Sequence, residues 1–237
     1  MCGRYSVDLR WDDVAKLYDL SKQGPLAQWN FQPSYNVCPT DSVPVIVPSF
    51  DGRQLVLMRW GLVPGWWSKP RKELRLANFN ARAETVAEKP FFRDAFKRSR
   101  CLISASGYYE WHYANPDDKK EKPQPYYFSR RDGQLITFAG LYDTWHDRAD
   151  NKNIQSCAMV ITEPNKLVAE VHDRMPVILE RDQFDTWMRT NDVREAAAML
   201  KPAAEDVLVR RSVSKRINSS KTPKEDATLI EEVQLVA

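Results

Sequence analysis

The chain has no paired cysteines: Cys2, Cys38, Cys101 and Cys157 lie far apart and form no CxxC. Its three histidines, His112, His146 and His172, show no HxxxH spacing either, so a structural zinc site is not expected. A charged-then-apolar leader is missing, and no apolar run approaches membrane-spanning length, which argues against secretion and membrane insertion. Neither a P-loop nor GxGxxG occurs, so nothing supports a nucleotide cofactor, and no cofactor or metal is expected. Strong charge imbalance is also lacking. Lys and Arg number 35 against 32 Asp and Glu, for a net charge of +3, so any nucleic-acid role must rest on how positive charge is distributed.

What remains is the composition of an ordinary globular protein, 43% hydrophobic and 28% charged, and 237 residues are enough for a sizeable core. Cys101 and Cys157 sit in apolar runs and read as buried core residues, and reduced thiols fit a cytoplasmic chain. Trp11, Val14, Leu17 and Tyr18 have helical spacing, with Asp12 and Asp13 in the first turn. Runs at 43–47 and 55–60 flank Asp51-Gly52 as a hairpin, with Pro44 and Pro48 pushing the first run toward a sheet edge. A second hairpin is expected from Tyr126–Phe128 through Asp132-Gly133 to 135–141. Further strands are expected at 101–105, 107–113, 154–161, 177–179 and 207–213, and helices at 91–98, 164–171, 182–189 and 193–200. The class is α+β: a single domain over 1–237 with a mainly antiparallel sheet and peripheral helices. Residues 114–125 read as a loop, and the C-terminal segment 218–237 as polar and partly mobile.

Several stretches concentrate chemistry. Once Met1 is removed, Cys2 would present a free α-amine and a thiol on one skeleton. The amine can condense with an aldehyde, and the thiol can close a thiazolidine on the resulting imine. Both groups titrate within about two units of neutrality, so neither needs much tuning. Trp60-Gly61-Leu62-Val63-Pro64-Gly65-Trp66-Trp67 is an irregular loop with a heavy aromatic load. Trp60 is expected in the core, whereas Trp66 and Trp67 either fold back or offer stacking surfaces for unpaired bases. In Asn78-Phe79-Asn80-Ala81-Arg82-Ala83-Glu84-Thr85, Asn80 could orient a sugar or oxyanion and Arg82 a phosphate. Spacing alone favours an asparagine-capped turn entering a helix. Gly107-Tyr108-Tyr109-Glu110-Trp111 sets one carboxylate among aromatics, where burial would raise its pKa into the general acid–base range. Val171-His172-Asp173-Arg174-Met175-Pro176 offers His172 as an acid–base, or as a helix C-cap, and Arg174 as an anion contact. Basic clusters at 97–100, 119–122 and 210–216 read as solvated faces, some of which could line a groove for a nucleic-acid backbone.

Taken in order, MCGR at 1–4, NVCPT at 36–40, WGLVPGWW at 60–67, NFNARAET at 78–85, GYYEW at 107–111 and VHDRMPVIL at 171–179 resemble the SRAP family, the SOS-response-associated peptidases. The resemblance implies a compact α+β fold with a barrel-like antiparallel sheet and a positive groove for single-stranded DNA. It further implies a covalent thiazolidine between Cys2 and the ring-opened aldehyde of an abasic site, which shields the lesion. In that scheme Asn80 orients the opened sugar, Glu110 assists ring opening and imine formation, and His172 is the acid–base for the imine or its reversal. Arg4, Arg82 and Arg174 match phosphate contacts, Trp66 and Trp67 the aromatic wedge, and Pro39 and Thr162 further lining positions. The chain departs from the common pattern at Tyr5, at Cys38 where many relatives have alanine, and in GYYEW; Cys38 brings a second thiol toward the site. The expected partner is abasic single-stranded DNA, met by a monomer with no membrane contact. The alternatives are a cysteine peptidase with Cys2 as nucleophile, a non-covalent single-strand binder, and a lyase side reaction through the same imine.

Overall fold

The computed structural model describes residues 2–20, 32–74, 78–115 and 122–235. Lys119 and Lys120 of the second basic cluster lie outside them. The elements run β1 (Tyr5–Val7), α1 (Trp11–Tyr18), β2 (Ser34–Val37), β3 (Ser42–Ser49), β4 (Gly52–Trp60), β5 (Asn80–Arg82), α2 (Arg93–Arg98), β6 (Arg100–Ala105) and β7 (Gly107–His112). They continue with β8 (Gln124–Arg130), β9 (Ile136–Asp147), β10 (Lys152–Thr162), α3 (Lys166–Ala169), β11 (Met175–Pro176), α4 (Phe184–Arg189), α5 (Val193–Ala198) and β12 (Leu208–Ser212). The α+β class and the positions of the five helices agree with the sequence pattern.

Five strands close on themselves. β10 pairs with β4, β4 with β3, β3 with β6, β6 with β9, and β9 returns to β10 along Lys152–Met159. Closure removes exposed edges, which is why a chain this rich in short strands can bury its sheet. β4 and β5 run parallel to β10, and every other pairing is antiparallel. A second sheet, ordered β12-β8-β7-β1-β2, leaves the ring where β6 continues through Ser106 into β7. The two sheets are joined by Tyr5, whose ring meets Trp60 edge-on at 4.9 Å and Phe138 at 6.0 Å.

Four local expectations are corrected. The Asp132-Gly133 turn does not close a hairpin, because β8 pairs with β7 and β12 while β9 pairs with β6 and β10. Turn chemistry reports that the chain reverses; here it reverses from one sheet into the other. Pro44 and Pro48 do not mark an edge, since β3 lies between β4 and β6. Instead these two residues without an N–H bracket Val45 and Ile46, the only β3 positions in register with β6. The strand expected at 177–179 falls at Met175–Pro176, with Ile178 forming a lone bridge to Phe138. The 78–85 motif holds no capped helix but a three-residue strand, β5, followed by turns.

From Val213 the chain straps across the second sheet. Ile217 and Leu229 are buried with Tyr35, Tyr109 and Tyr127, and Val233 N–H donates to Ser212 O at 2.9 Å. The segment read as polar and partly mobile thus contributes packed contacts through its few apolar side chains.

Candidate active site

Cys2 leads into β1 and is buried, at 1% exposure. Its carbonyl accepts a hydrogen bond from Asn80 Nδ2 at 2.9 Å, so β5 is tied to the start of the chain. β5 can reach there because Asn80, Ala81 and Arg82 lie in parallel register with Met159, Val160 and Ile161 of β10. Asn80 Oδ1 is buried without a partner among the described residues.

Alternation along β7 decides where Glu110 goes. Tyr108 and Glu110 share one face and Tyr109 and Trp111 the other, and both faces are covered, so the carboxylate is shielded from solvent. Glu110 is 0% exposed; neither oxygen has a partner within full hydrogen-bond geometry among the described residues, and the adjacent Cys2 thiol, a donor, offsets part of the burial. Burial pushes its pKa up to about 7. Burial, followed by the nearby Glu110 charge, also raises the Cys2 thiol well above its ordinary value. A carboxyl group poised at neutrality beside a protonated thiol can accept or return a proton without leaving the pocket.

His172 closes the far side. Its N–H donates to Val168 O at 2.9 Å, past the end of α3, and the ring is half-buried with Nε2 3.8 Å from Glu110 Oε2. Arg174 N–H donates to Nδ1 at 3.0 Å. In the neutral ring that bond places the proton on Nε2, toward the carboxylate. Burial is the main reason the ring is held neutral, below the ordinary histidine range. The exposed Asp173 carboxylate, 3.1 Å from Nδ1, would take a proton from that nitrogen only in the charged ring. Cys2, Asn80, Glu110 and His172, from four separated motifs, therefore form one contiguous cluster, and the other two histidines are exposed elsewhere.

The cations are less free than their motifs suggest. Arg4 Nη1 donates to Asn36 Oδ1 and to Ile217 O, and its guanidinium stands 5.9 Å over the Trp111 ring. Arg174 is paired with the exposed Glu84. Arg82 is exposed at the end of β5. Thr162 is buried at the end of β10 opposite Met175, and Pro39 is half-buried in the turn after β2. The Cys38 thiol contacts Asn36 O at 3.4 Å and has Arg4, Asp41 and Lys224 as its charged neighbours, a setting distinct from the Cys2–Glu110 pair.

The tryptophan loop is rigidly mounted. Trp60 is buried as expected, while Trp66 is 53% exposed and lies 6.1 Å from half-buried Trp67. Gly65 N–H donates to Asp143 Oδ2 at 2.7 Å, and Trp145 Nε1 donates to Trp67 O at 2.6 Å. Gly65 lies so close to β9 that a Cβ there would come within 3.0 Å of Thr144 O. Asp143, Trp145 and the buried Asn36 are the supporting residues that sequence reasoning missed. Asn36 stood inside a motif without a role, and nothing local marked the β9 pair.

The SRAP model, described as SOS response associated peptidase, matches residues 1–220. The chain belongs to the SRAP family. It is 33% identical over 223 residues to abasic site processing protein YoqW of Bacillus subtilis, covering 93% of this chain and 96% of that one. It is 30% identical to abasic site processing protein HMCES of Xenopus tropicalis, covering 97% of this chain and 79% of that protein. A solved structure from Bacteroides thetaiotaomicron superposes with a TM-score of 0.85 at 24% identity, covering 98% of this chain and all of that one, which supports the fold alone. Membership gives the six motifs a common origin, and the fold brings residues from four of them into contact.

Proposed function

We propose that this SRAP protein recognises abasic sites in single-stranded DNA and shields them by a covalent bond through Cys2. The observation that carries the proposal is the buried Glu110 carboxylate, unpartnered among the described residues, beside the Cys2 thiol and facing His172. Such a group is costly unless a ligand's proton or hydroxyl meets it. Removal of Met1 by an aminopeptidase frees the α-amine. The sugar ring oxygen takes a proton as its bond to the anomeric carbon breaks, the anomeric hydroxyl gives its proton up, and the aldehyde opens. The amine adds to that carbon and water leaves, giving an imine. The thiol sulfur then bonds to the same carbon while its proton passes, by way of Glu110, to nitrogen, and the thiazolidine is complete. The second closure is intramolecular and gains the advantage of proximity. Asn80 would hold a sugar hydroxyl through its unpartnered Oδ1, and His172 would move protons at the imine in either direction.

Trp66 supplies the exposed stacking face and Arg82 an exposed cation with no ion pair among the described residues, with Arg4 and Arg174 nearby, which suits a bent single strand more than an intact duplex. Pro39 and Thr162 would line the path. The protein would act as a cytoplasmic monomer, and among the described residues no helix is long and apolar enough to cross a membrane. Peptidase chemistry is the second reading: it would use the same thiol, whose burial raises its pKa, but would lack the intramolecular imine that brings the thiazolidine carbon to the sulfur. Incubating pure protein with a denatured peptide and, separately, with abasic single-stranded DNA tests the choice. A DNA adduct without peptide turnover is expected; turnover without an adduct would reverse it.

The Glu84–Arg174 pair sets a second expectation. Glu84→Gln should free Arg174 for phosphate, tighten single-strand binding a few-fold, and steepen its salt dependence by up to about 0.7 in log–log slope. Fluorescence anisotropy against salt concentration reads both. An unchanged slope would remove Arg174 from the DNA contacts.

A further inference from the structure

Beyond the pocket, the β9–β10 ribbon carries a second feature. Its register places Met159 beside Asn80, Ser156 opposite Asp143, Ile154 opposite Trp145, and Lys152 opposite Asp147. The tryptophan loop lies along one face of this ribbon in the same order. Val63 N–H meets Ser156 Oγ at 2.8 Å, Gly65 meets Asp143, and Trp67 meets Trp145. Loop and ribbon thus leave the Cys2 pocket together and run about 23 Å to the tip at Lys152.

At that tip they enclose a cleft of about 370 Å³, walled by Trp67, Lys69 and Pro70 on the loop and by Trp145, His146 and Arg148 on the ribbon. Lys69 and Arg148 are exposed, and neither has an ion-pair partner among the described residues. The carboxylate in the cleft, Asp147, is engaged: its Oδ1 accepts from Ala149 N–H at 3.0 Å. Trp145 is 3% exposed and forms the floor, while Trp67 keeps part of its indole open to the cleft. An indole face between two unpaired cations is the chemistry that holds a nucleotide without reading its base.

We propose that this cleft is a distal subsite for the same DNA strand, holding a sugar–phosphate unit several nucleotides from the abasic sugar through Lys69 and Arg148. It rests on the single-strand reading above and extends its footprint along the ribbon, on one side of the lesion only. The subsite contributes affinity independent of sequence and of the covalent step.

The test uses single strands carrying a tetrahydrofuran abasic analogue, which has no aldehyde, lengthened separately on the 5′ and 3′ flanks. For the wild type, affinity should rise with length on one flank and then level off once the cleft is reached. The Lys69→Gln/Arg148→Gln variant should lose that rise, binding long strands several-fold more weakly, with a salt slope smaller by about 1.4 for two lost phosphate contacts. Both substitutions are on exposed side chains, and circular dichroism confirms folding. Length-independent wild-type binding, or a variant with the wild-type length profile and slope, would overturn the subsite while leaving the lesion-binding proposal intact. A wild type that binds none of the strands would overturn both.

Discussion

Replacing Glu110 by glutamine should slow adduct formation by about 10²–10⁴-fold while making the protein more stable above neutral pH. The rate loss follows from removing the group that accepts and returns the thiol proton, with the Asn80 and His172 contacts left in place. The stability gain follows from linkage. Glu110 titrates at about 7 in the folded protein against an ordinary value of 4.5. Between those values the folded state holds a proton that the unfolded state has released, so stability falls as pH rises through that window. Above it the wild type carries a buried carboxylate charge that Glu110→Gln lacks. The difference is on the order of 3 kcal/mol at pH 8 and vanishes near pH 4. Thermal melts at both pH values, set beside single-turnover adduct kinetics, separate the two effects. Equal melting temperatures at pH 8 would mean that Glu110 is not held in a desolvated pocket.

The largest structural effect is expected at Gly107, three residues before Glu110 on β7. A Cβ there would fall 2.3 Å from the Tyr127 ring and hydroxyl and 2.5 Å from the Phe128 carbonyl oxygen. Tyr127 cannot swing clear: it is buried, and its hydroxyl is bonded to Ser6 Oγ at 2.7 Å. Gly107→Ala must therefore pry β7 from β8, at a cost of about 3 kcal/mol, or roughly 6–12 °C in melting temperature for a chain of this size. Adduct formation should fall with it, because β7 carries Glu110 to Cys2. A melting temperature unchanged within error would mean that the sheet yields at this position.

Some of this was legible in the sequence for identifiable reasons. The Asp51-Gly52 turn sits between two runs long enough to show their period, and the β3–β4 hairpin follows. Glu110 was partly legible, because aromatics on both sides weighed against a solvent-facing carboxylate; its full burial appears only in the folded sheet. β1, β2 and β5 were not, since three or four residues carry no readable period and their pairing partners lie far away in sequence. Closure of the ring depends on β10, the hairpin partner of β9, also meeting β4 far away in sequence, a long-range choice that no local pattern encodes. Asn36 was opaque for a similar reason. Its burial, and its bonds to Arg4 and to the carbonyls of Ser219 and Thr222, exist only once the C-terminal strap is in place. The resemblance named the candidate catalytic residues; the structure adds that Arg4 and Arg174, two of the three arginines expected to meet phosphate, already have protein partners.

The most direct test is the intact mass of the protein after mixing with single-stranded DNA that carries one abasic site, under denaturing conditions and without reductant. The wild type should lack Met1 and give a single adduct at the sum of protein and DNA less one water, as ring closure after imine formation requires. Cys2→Ser keeps the amine but loses the thiol, and its imine should hydrolyse, leaving free protein and free DNA. A Cys2→Ser adduct as stable as that of the wild type would contradict the thiazolidine, and so would a wild-type adduct formed with Met1 still attached.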